Sequence, residues 1–393
     1  MTGSILTLNA GSSSLKFALF DAAALKVTVR GEIEDLDEAE AHLLARDAAG
    51  AVLAEQRWRA AGDSFGAALH KLLEFTDAHL GRDGLTAAGH RIVHGGADHI
   101  APEMVTSGLL AELEALTPLD PLHMPDNLVP VRAIAAARPA LRQVVCFDTA
   151  FHHTLPPVAR ALALPRALSE AGVRRFGFHG LSYEYIASQL VHRSPALAQG
   201  RVIAAHLGSG ASLCALQGGS SIETTTGFSA LDGLVMATRC GRLDPGAILY
   251  LGRQGRSFAD IEDMLYRRSG LLGMSGISGD VRVLLGSDDP NARAALELFT
   301  YRIATEAGAL ISALGGMDAL VFTAGIGEHS AAIRAAICAR LAWLGVRLDS
   351  TANEAGATRI SAPSSAVEVL VIPTDEEAMI ARHTHTIIER ATA

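Results

Sequence analysis

The chain has 393 residues, more than one hydrophobic core normally serves, so two domains are expected. With 49% hydrophobic and 19% charged residues, a mean hydropathy of +0.26 and no apolar run long enough to span a bilayer, it reads as a compact soluble protein rather than a disordered or membrane-spanning one. A net charge of −9 disfavours nonspecific binding to nucleic acid or an anionic membrane, yet leaves room for a local basic pocket around a small anion.

Ile5 to Phe20 is an apolar strand, a tight turn over Gly11 to Ser14 and a second apolar strand, the whole continuing as a hairpin or meander to about residue 30. The first strand is cut early and no basic stretch precedes it, so no secretory leader is read and a cytoplasmic location is expected. Ser64 to Leu80 has the period of an amphipathic helix and ends at Gly81. Ala87 to Val93 is a short strand running into His94-Gly95-Gly96, and Gly108 to Leu116 is a helix closed by Pro118. Gln143 to Phe147 is a buried strand with Asp148 at its carboxyl end, where ligands bind in open α/β sheets. The opening design then recurs: a strand at 202–206, a Gly208-Ser209-Gly210 turn and a strand at 213–217. A long mixed region follows, then a strand at Ala319 to Thr323 and a helix from about Ser330 to Leu344. The alternation is that of an α/β protein in two lobes, residues 1–150 and 151–376, with a last helix over 377–393 packing back on the first. Cys146, Cys214, Cys240 and Cys338 are isolated, so free thiols in a reducing compartment are expected.

Small residues at a hairpin tip let backbone N–H groups and hydroxyls converge on one point, which suits phosphate. Either Gly/Ser loop alone is usually an ordinary turn; their recurrence half a chain apart points to a duplicated phosphate clamp. Ala324-Gly-Ile-Gly-Glu-His-Ser330 follows a buried strand and opens a helix, so its amides and the helix dipole offer an anion site with nucleotide as the expected guest. The alternative is a plain strand-to-helix loop with Ser330 as N-cap. The segment lacks the Gly-Lys-Ser/Thr of a P-loop and the full dinucleotide fingerprint. Arg91, Arg239 and Arg282 stand beside turn glycines, suited to bidentate capture of carboxylate or phosphate, although a surface ion pair is the commoner role of any single arginine. Asp148 is open to three roles: base, metal-associated carboxylate or turn cap. The numerous histidines, including His90, His94, His123, His152, His153, His179 and His206, do not follow zinc-hydrolase spacing. Asn9 and Glu376 carry oxygens of the kind Mg2+ prefers, although spacing alone does not bring them together.

Eight ordered motifs carry a resemblance: LNAGSSSLKF at 8–17, GHRIVHGG at 89–96, FDTAFH at 147–152, FGFHGLSYEY at 176–185, HLGSGAS at 206–212, TRCGRLDPG at 238–246, FTAGIGEHS at 322–330 and IPTDEE at 372–377. Over residues 5 to about 382 the chain resembles the acetate kinase (acetokinase) family of the acetate and sugar kinase, heat-shock chaperone and actin superfamily. The resemblance implies a two-lobed, duplicated ribonuclease-H-like (actin-like ATPase) α/β fold with an interdomain cleft and a nucleotide-binding second lobe. It also implies a homodimer acting on small molecules only, and Mg2+-dependent, or Mn2+-dependent, reversible in-line phosphorylation of acetate by ATP. By motif position, Asn9 and Glu376 would hold the metal and Lys16 would lie near the nucleotide phosphates. His206, Leu207, Gly208, Ser209 and Gly210 would bind ATP, together with Asp280, Val281 and Arg282 and with Gly325, Ile326, Gly327, Glu328 and His329. Arg91 and Arg239 would hold the carboxylate and the phosphoryl group in flight, with His179 on its equatorial oxygens. Asp148 would lie beside the acceptor, orienting an arginine or a metal-bound water rather than acting as a base, because a carboxylate acceptor is already ionised. Val93, Leu122, Phe178 and Ala230 match the family's apolar acceptor slot.

The chain departs from the family pattern at five positions. Ser209 stands for Asn, Thr226 for Met and Ala230 for Pro; Arg242 replaces a common acidic residue, and Val283 a frequent Asp. A propionate or butyrate kinase of the same mechanism is therefore the nearest rival reading, and an actin-like or chaperone-like ATPase a remote one.

Overall fold

The computed structural model describes residues 3–11, 14–36, 40–59, 64–81 and 84–392. Ser12 and Ser13, in the tip of the first Gly/Ser loop, lie outside the described residues. The chain divides into two units, residues 1–151 with 375–393, and residues 152–374.

Among the described residues the first unit holds β1 (Ser4–Ala10), β2 (Leu15–Asp21), β3 (Val27–Glu34), β4 (Glu40–Asp47), β5 (Val52–Arg59), β6 (Leu85–Ile92), β7 (Glu103–Met104) and β8 (Arg142–Phe147). They form one sheet in the order β5-β4-β3-β2-β1-β6-β8-β7. β1 is buried along nearly its whole length, with Thr7 and Asn9 as polar exceptions inside it, whereas β4 alternates and β5, at the edge, carries Glu55, Arg57 and Arg59 outward. The parallel pairings β1/β6 and β6/β8 require crossovers, supplied in part by the helices Ser64–Leu80 and Met124–Ala137. Leu69, Leu72 and Ile134 from these helices join Leu6, Leu8 and Phe17 in the core of this unit. The C-terminal helix Glu376–Thr392 packs on β1, β6 and β8, its Ile380 and Thr384 filling the space over Gly89.

The second unit holds β9 (Arg201–Leu207), β10 (Ala211–Gln217), β11 (Ser220–Thr224), β12 (Ala319–Thr323) and β13 (Glu368–Val371), ordered β11-β10-β9-β12-β13. β9, β10 and β11 are an antiparallel meander, and β12 and β13 join β9 in parallel. Without β4, β5 and β7, the first sheet reads β3-β2-β1-β6-β8 with the same strand directions. One five-strand plan is thus used twice, as the ribonuclease-H-like expectation requires.

Two local readings are corrected. Ala324–His329 is itself a short helix, entered through Ala324 at φ 63°, rather than a loop. Ser330 caps the next helix, Ala331–Arg340, which stops short of Leu344 because a 3-10 turn over Ala342–Leu344 and Gly345 at φ 86° end it. The long mixed region contains the 25-residue helix Pro290–Leu314, started by the Asp289 side chain on the Asn291 amide at 2.7 Å and by proline at the first turn. Ala292, Ala295, Phe299, Ile303, Ala307, Leu310 and Leu314 make its buried stripe. No disulfide joins the four cysteines, and no helix among the described residues is long and apolar enough to cross a membrane.

Candidate functional site

In the first unit Asn9 lies near the end of β1, Arg91 near the end of β6, and Asp148 just after β8. These strands are parallel neighbours, so their carboxyl ends fall together, and Glu376 starts the helix laid over them. Arg91 Nε and Nη2 donate to Asp148 Oδ2 at 3.0 and 2.5 Å, and Nη1 donates to Asn9 Oδ1 at 3.0 Å. Asn9 Nδ2 in turn donates to Glu376 Oε2 at 3.0 Å. Burial opposes the charge on Arg91, but the Asp148 and Glu376 carboxylates more than offset it and raise its pKa. Burial, aided by the charges of Asp148 and Glu377, pushes Glu376 up to about 7 against the pull of Arg91 and Asn9. Asp148 is fully buried, and its Oδ1 has no hydrogen-bond partner among the described residues. Two carboxylates against one guanidinium, with a buried acceptor left over, leave the cluster short of positive charge. Glu376, Asp148 and Asn9 present the hard oxygen donors that suit a divalent cation such as Mg2+.

Around this cluster, Lys16 on β2 is exposed and pairs across the sheet with Asn9 and Glu32. Val93 follows β6; its amide donates to Asn127 Oδ1 at 2.8 Å, while Asn127 Nδ2 donates to the carbonyl of Ala10 at 3.0 Å. Leu122 precedes His123, whose Nδ1 lies 2.8 Å from Oδ1 of the buried Asp120.

In the second unit Phe178 and His179 are clamped from several sides. The Phe178 amide donates to Thr226 Oγ1 at 3.0 Å, and His152 Nε2 lies 3.0 Å from the Phe178 carbonyl. Gly177 has φ 84°, and a Cβ there would stand 2.6 Å from the His152 ring, so only glycine fits. His179 is left-handed at φ 60°, a conformation that costs an ordinary residue about 1–2 kcal/mol. Its Nδ1 lies 2.8 Å from Ser212 Oγ, its ring stacks on His206 at 4.2 Å and 12°, and its Nε2 lies 3.1 Å from where a Gly210 Cβ would be. His179 is thus set against the 206–210 turn, where Gly208 N donates to the Gly210 carbonyl at 3.0 Å and Ser209 is exposed. Leu207, at the end of β9, is buried in the core. Arg239 Nη1 donates to the Ala230 carbonyl at 3.0 Å.

An open cavity of about 460 Å³ is lined by Glu328 and His329, by Leu285 after the Asp280–Arg282 segment, and by Arg334 and Glu354. Asp280 accepts from the Arg282 amide at 2.8 Å and pairs with the exposed Arg282 guanidinium, while Val281 between them is buried. Gly325, Ile326 and Gly327 lie in the short helix, with open space where a Gly325 Cβ would be. Arg334 is buried and, among the described residues, its hydrogen bonds go to neutral oxygens: Nη1 donates to the carbonyls of Gly327 and Glu328 at 3.0 and 2.8 Å, and Nε and Nη2 hold the side chain and carbonyl of Asn353. Glu328 Oε1 accepts the Thr374 amide at 3.1 Å.

The acetokinase family model matches residues 4–382. This chain belongs to the acetokinase family. An acetate kinase of Rhodopseudomonas palustris (strain TIE-1) is 52% identical over 98% of each chain. Among solved structures, a propionate kinase of Francisella tularensis subsp. tularensis gives a TM-score of 0.91 at 34% identity, and an acetate kinase of Porphyromonas gingivalis 0.87 at 35%; each match covers 98% of this chain and 100% of the other.

Within this acetokinase, Asn9, Arg91, Asp148 and Glu376 form one hydrogen-bonded group, and Phe178, His179 and His206 form another with Thr226 and Ser212. Val93 and Leu122 belong to the first unit, Phe178 and Ala230 to the second. Sequence reasoning missed Ser212, Tyr183, Ser182, Asn127, Arg334 and Asn353. Ser182, Tyr183 and Ser212 fall inside quoted motifs, and that was the available signal; Asn127, Arg334 and Asn353 show themselves only through burial.

Proposed function

We propose that this acetokinase transfers the γ-phosphoryl group of ATP reversibly to acetate, giving acetyl phosphate and ADP. A carboxylate oxygen of acetate bonds to phosphorus as the bond to the β,γ-bridging oxygen of ATP breaks; no proton has to be removed from the acceptor. The observation that carries the reading is Arg91, a charged guanidinium held by Asp148 and Asn9 in an oxygen-rich cluster of a family member. Asp148, already accepting from Arg91, acts by orienting that arginine, in keeping with chemistry that needs no base. Glu376, Asn9 and Asp148 are the residues that would hold Mg2+, which supplies charge neutralisation to the phosphate oxygens when bound. From the second unit, His179 and Arg239 meet the phosphoryl charge, the 206–210 turn receives phosphate, and the cavity beside Glu328 and His329 takes the nucleoside. Lys16 approaches the nucleotide phosphates. The protein works in the cytoplasm as a homodimer. The exposed Leu249, Tyr250 and Phe258 of the helices Pro245–Arg253 and Phe258–Arg267 offer apolar surface for self-association.

Propionate is favoured as a second acceptor by one feature: the buried Ala230 stands where the family has the bulkier proline. Hydroxamate trapping of acyl phosphate with acetate, propionate and butyrate tests the assignment. Acetate should react in the presence of Mg2+ and ATP, with propionate behind it. Absence of acyl phosphate from all three acids overturns the assignment.

A further inference from the structure

We infer that Ser212 and Tyr183 are positioning residues that set the tautomer of His179, keeping its proton on Nε2. The inference rests on the reading of His179 as a donor to the transferring phosphoryl group. His179 Nδ1 lies 2.8 Å from Ser212 Oγ, and Ser212 Oγ lies 2.5 Å from the Tyr183 hydroxyl. Ser212 and Tyr183 are both fully buried. A serine hydroxyl has one proton, so the chain can run in one of two directions. A phenol, with a pKa near 10, is a far better donor than an aliphatic hydroxyl, and this fixes the polarity from tyrosine towards histidine. Tyr183 O–H donates to Ser212 Oγ, and Ser212 O–H donates to His179 Nδ1. The proton of the neutral ring then sits on Nε2, on the side where a Gly210 Cβ would come within 3.1 Å. That is the edge facing the turn assigned to phosphate.

Two further features keep the ring from turning. The His206 ring lies parallel to it at 4.2 Å, and His206 is itself held by Nδ1 on Ser182 Oγ at 2.8 Å, with Ser182 Oγ 2.9 Å from Thr374 Oγ1. The backbone on either side is pinned by Thr226 on Phe178 and by the start of the helix Gly180–Arg193, on which both Ser182 and Tyr183 ride. Tyr183 rides on the first turn of that helix and Ser212 on β10, so two separate elements hold the hydroxyls that meet beside His179.

The test combines kinetics with imidazole 15N NMR of the histidine-labelled enzyme, His179 being assigned by its loss in His179→Gln. In the native enzyme His179 should carry its proton on Nε2, with Nδ1 as an acceptor; Ser212→Ala should show a mixture of tautomers. Ser212→Ala should lower kcat about 10- to 100-fold, the range for losing a residue that orients a functional histidine, and leave the ATP KM within about twofold. Tyr183→Phe should lower kcat less, and Ser212→Thr should restore most of it. In a His179→Ala background, Ser212→Ala should cause no further loss, which a merely structural serine would not satisfy. Wild-type turnover in Ser212→Ala alongside a slow His179→Ala enzyme overturns the inference and leaves the proposed function standing. An undiminished effect of Ser212→Ala in the His179→Ala background does the same. Wild-type turnover in His179→Ala overturns the role of that histidine, and the inference with it.

Discussion

Arg91 places three of its five N–H groups on oxygens that are themselves held: two on Asp148 and one on Asn9, which passes the constraint to Glu376. A lysine ammonium keeps the charge but has no planar fork, so it satisfies one of these partners and leaves a buried carboxylate underbonded. Arg91→Lys should therefore lower kcat/KM for acetate by at least about tenfold, and Arg91→Ala by about 10²- to 10³-fold, as expected when a fixed donor aimed at developing charge is removed. Steady-state kinetics on variants with unchanged circular dichroism check this. Equal activity of the lysine and arginine enzymes would rule out the fork as the reason for arginine here. Ala230 makes a different kind of argument. It is buried, and its carbonyl is occupied by Arg239, so under the proposed function its methyl is the part left to meet an acyl chain. Each methylene that an acyl chain buries is worth about 0.8 kcal/mol, and an apolar slot discriminates one methylene by about 10- to 200-fold at most. Ala230→Pro should shift the ratio of specificity constants from propionate towards acetate. An unchanged ratio assigns the slot to other residues.

The elements that carry the site differ in how far they could be read in advance. The strand-turn-strand pairs β1/β2 and β9/β10 were legible because an unbroken apolar run cut by Gly and Ser has few other meanings. The helix Pro290–Leu314 was not read, although Asp289-Pro290-Asn291 is a capping sequence, because its many alanines blur the contrast between faces. Arg91 and Asp148 were marked by their places beside turn glycine and strand end. That Asn9 meets Glu376, 367 residues away, is a product of topology that no spacing contains. Buried hydroxyls such as Ser212, and the buried Arg334, look like any serine or arginine in the sequence. Arg334 nonetheless ties the short helix Ala324–His329 to the helix Ser350–Glu354 through four hydrogen bonds to neutral oxygens. Arg334→Lys cannot span them. It should cost about 2–5 kcal/mol in urea unfolding, since buried acceptors lose their donor, and raise the KM for ATP while leaving that for acetate unchanged. An unchanged ATP KM would mean that Arg334 supports the fold alone.

At the scale of the whole molecule, one sheet plan appears twice, and the two copies have been filled with different chemistry. The first sheet ends in a cation held among carboxylates, with the buried Oδ1 of Asp148 left over; the second ends in a small-residue turn and a stacked histidine pair, and its unit carries an open cavity of about 460 Å³. The proposed function assigns the metal and Arg91 to the first unit and most of the nucleotide to the second, and amide hydrogen exchange reads those assignments segment by segment. A non-hydrolysable ATP analogue at about 100 times its Kd stabilises the segments it binds by about 2.7 kcal/mol, enough to slow their exchange roughly a hundredfold. Protection is expected in the second unit, over residues 206–212, 323–332 and 354–356. Mg2+ with acetate should protect Asn9, residues 91–95, Asp148 and the start of the C-terminal helix at Glu376 in the first unit, together with the acceptor-slot segments at Phe178 and Ala230 in the second. The helix Pro290–Leu314, deep in the second core, should exchange slowly under every condition and serve as the internal reference. Protection by the ATP analogue confined to the first unit would overturn the assignment of nucleotide to the second. Protection by Mg2+ and acetate that bypasses Arg91, Asp148 and Glu376 would remove the metal and acceptor roles from that cluster, even if acetyl phosphate is made.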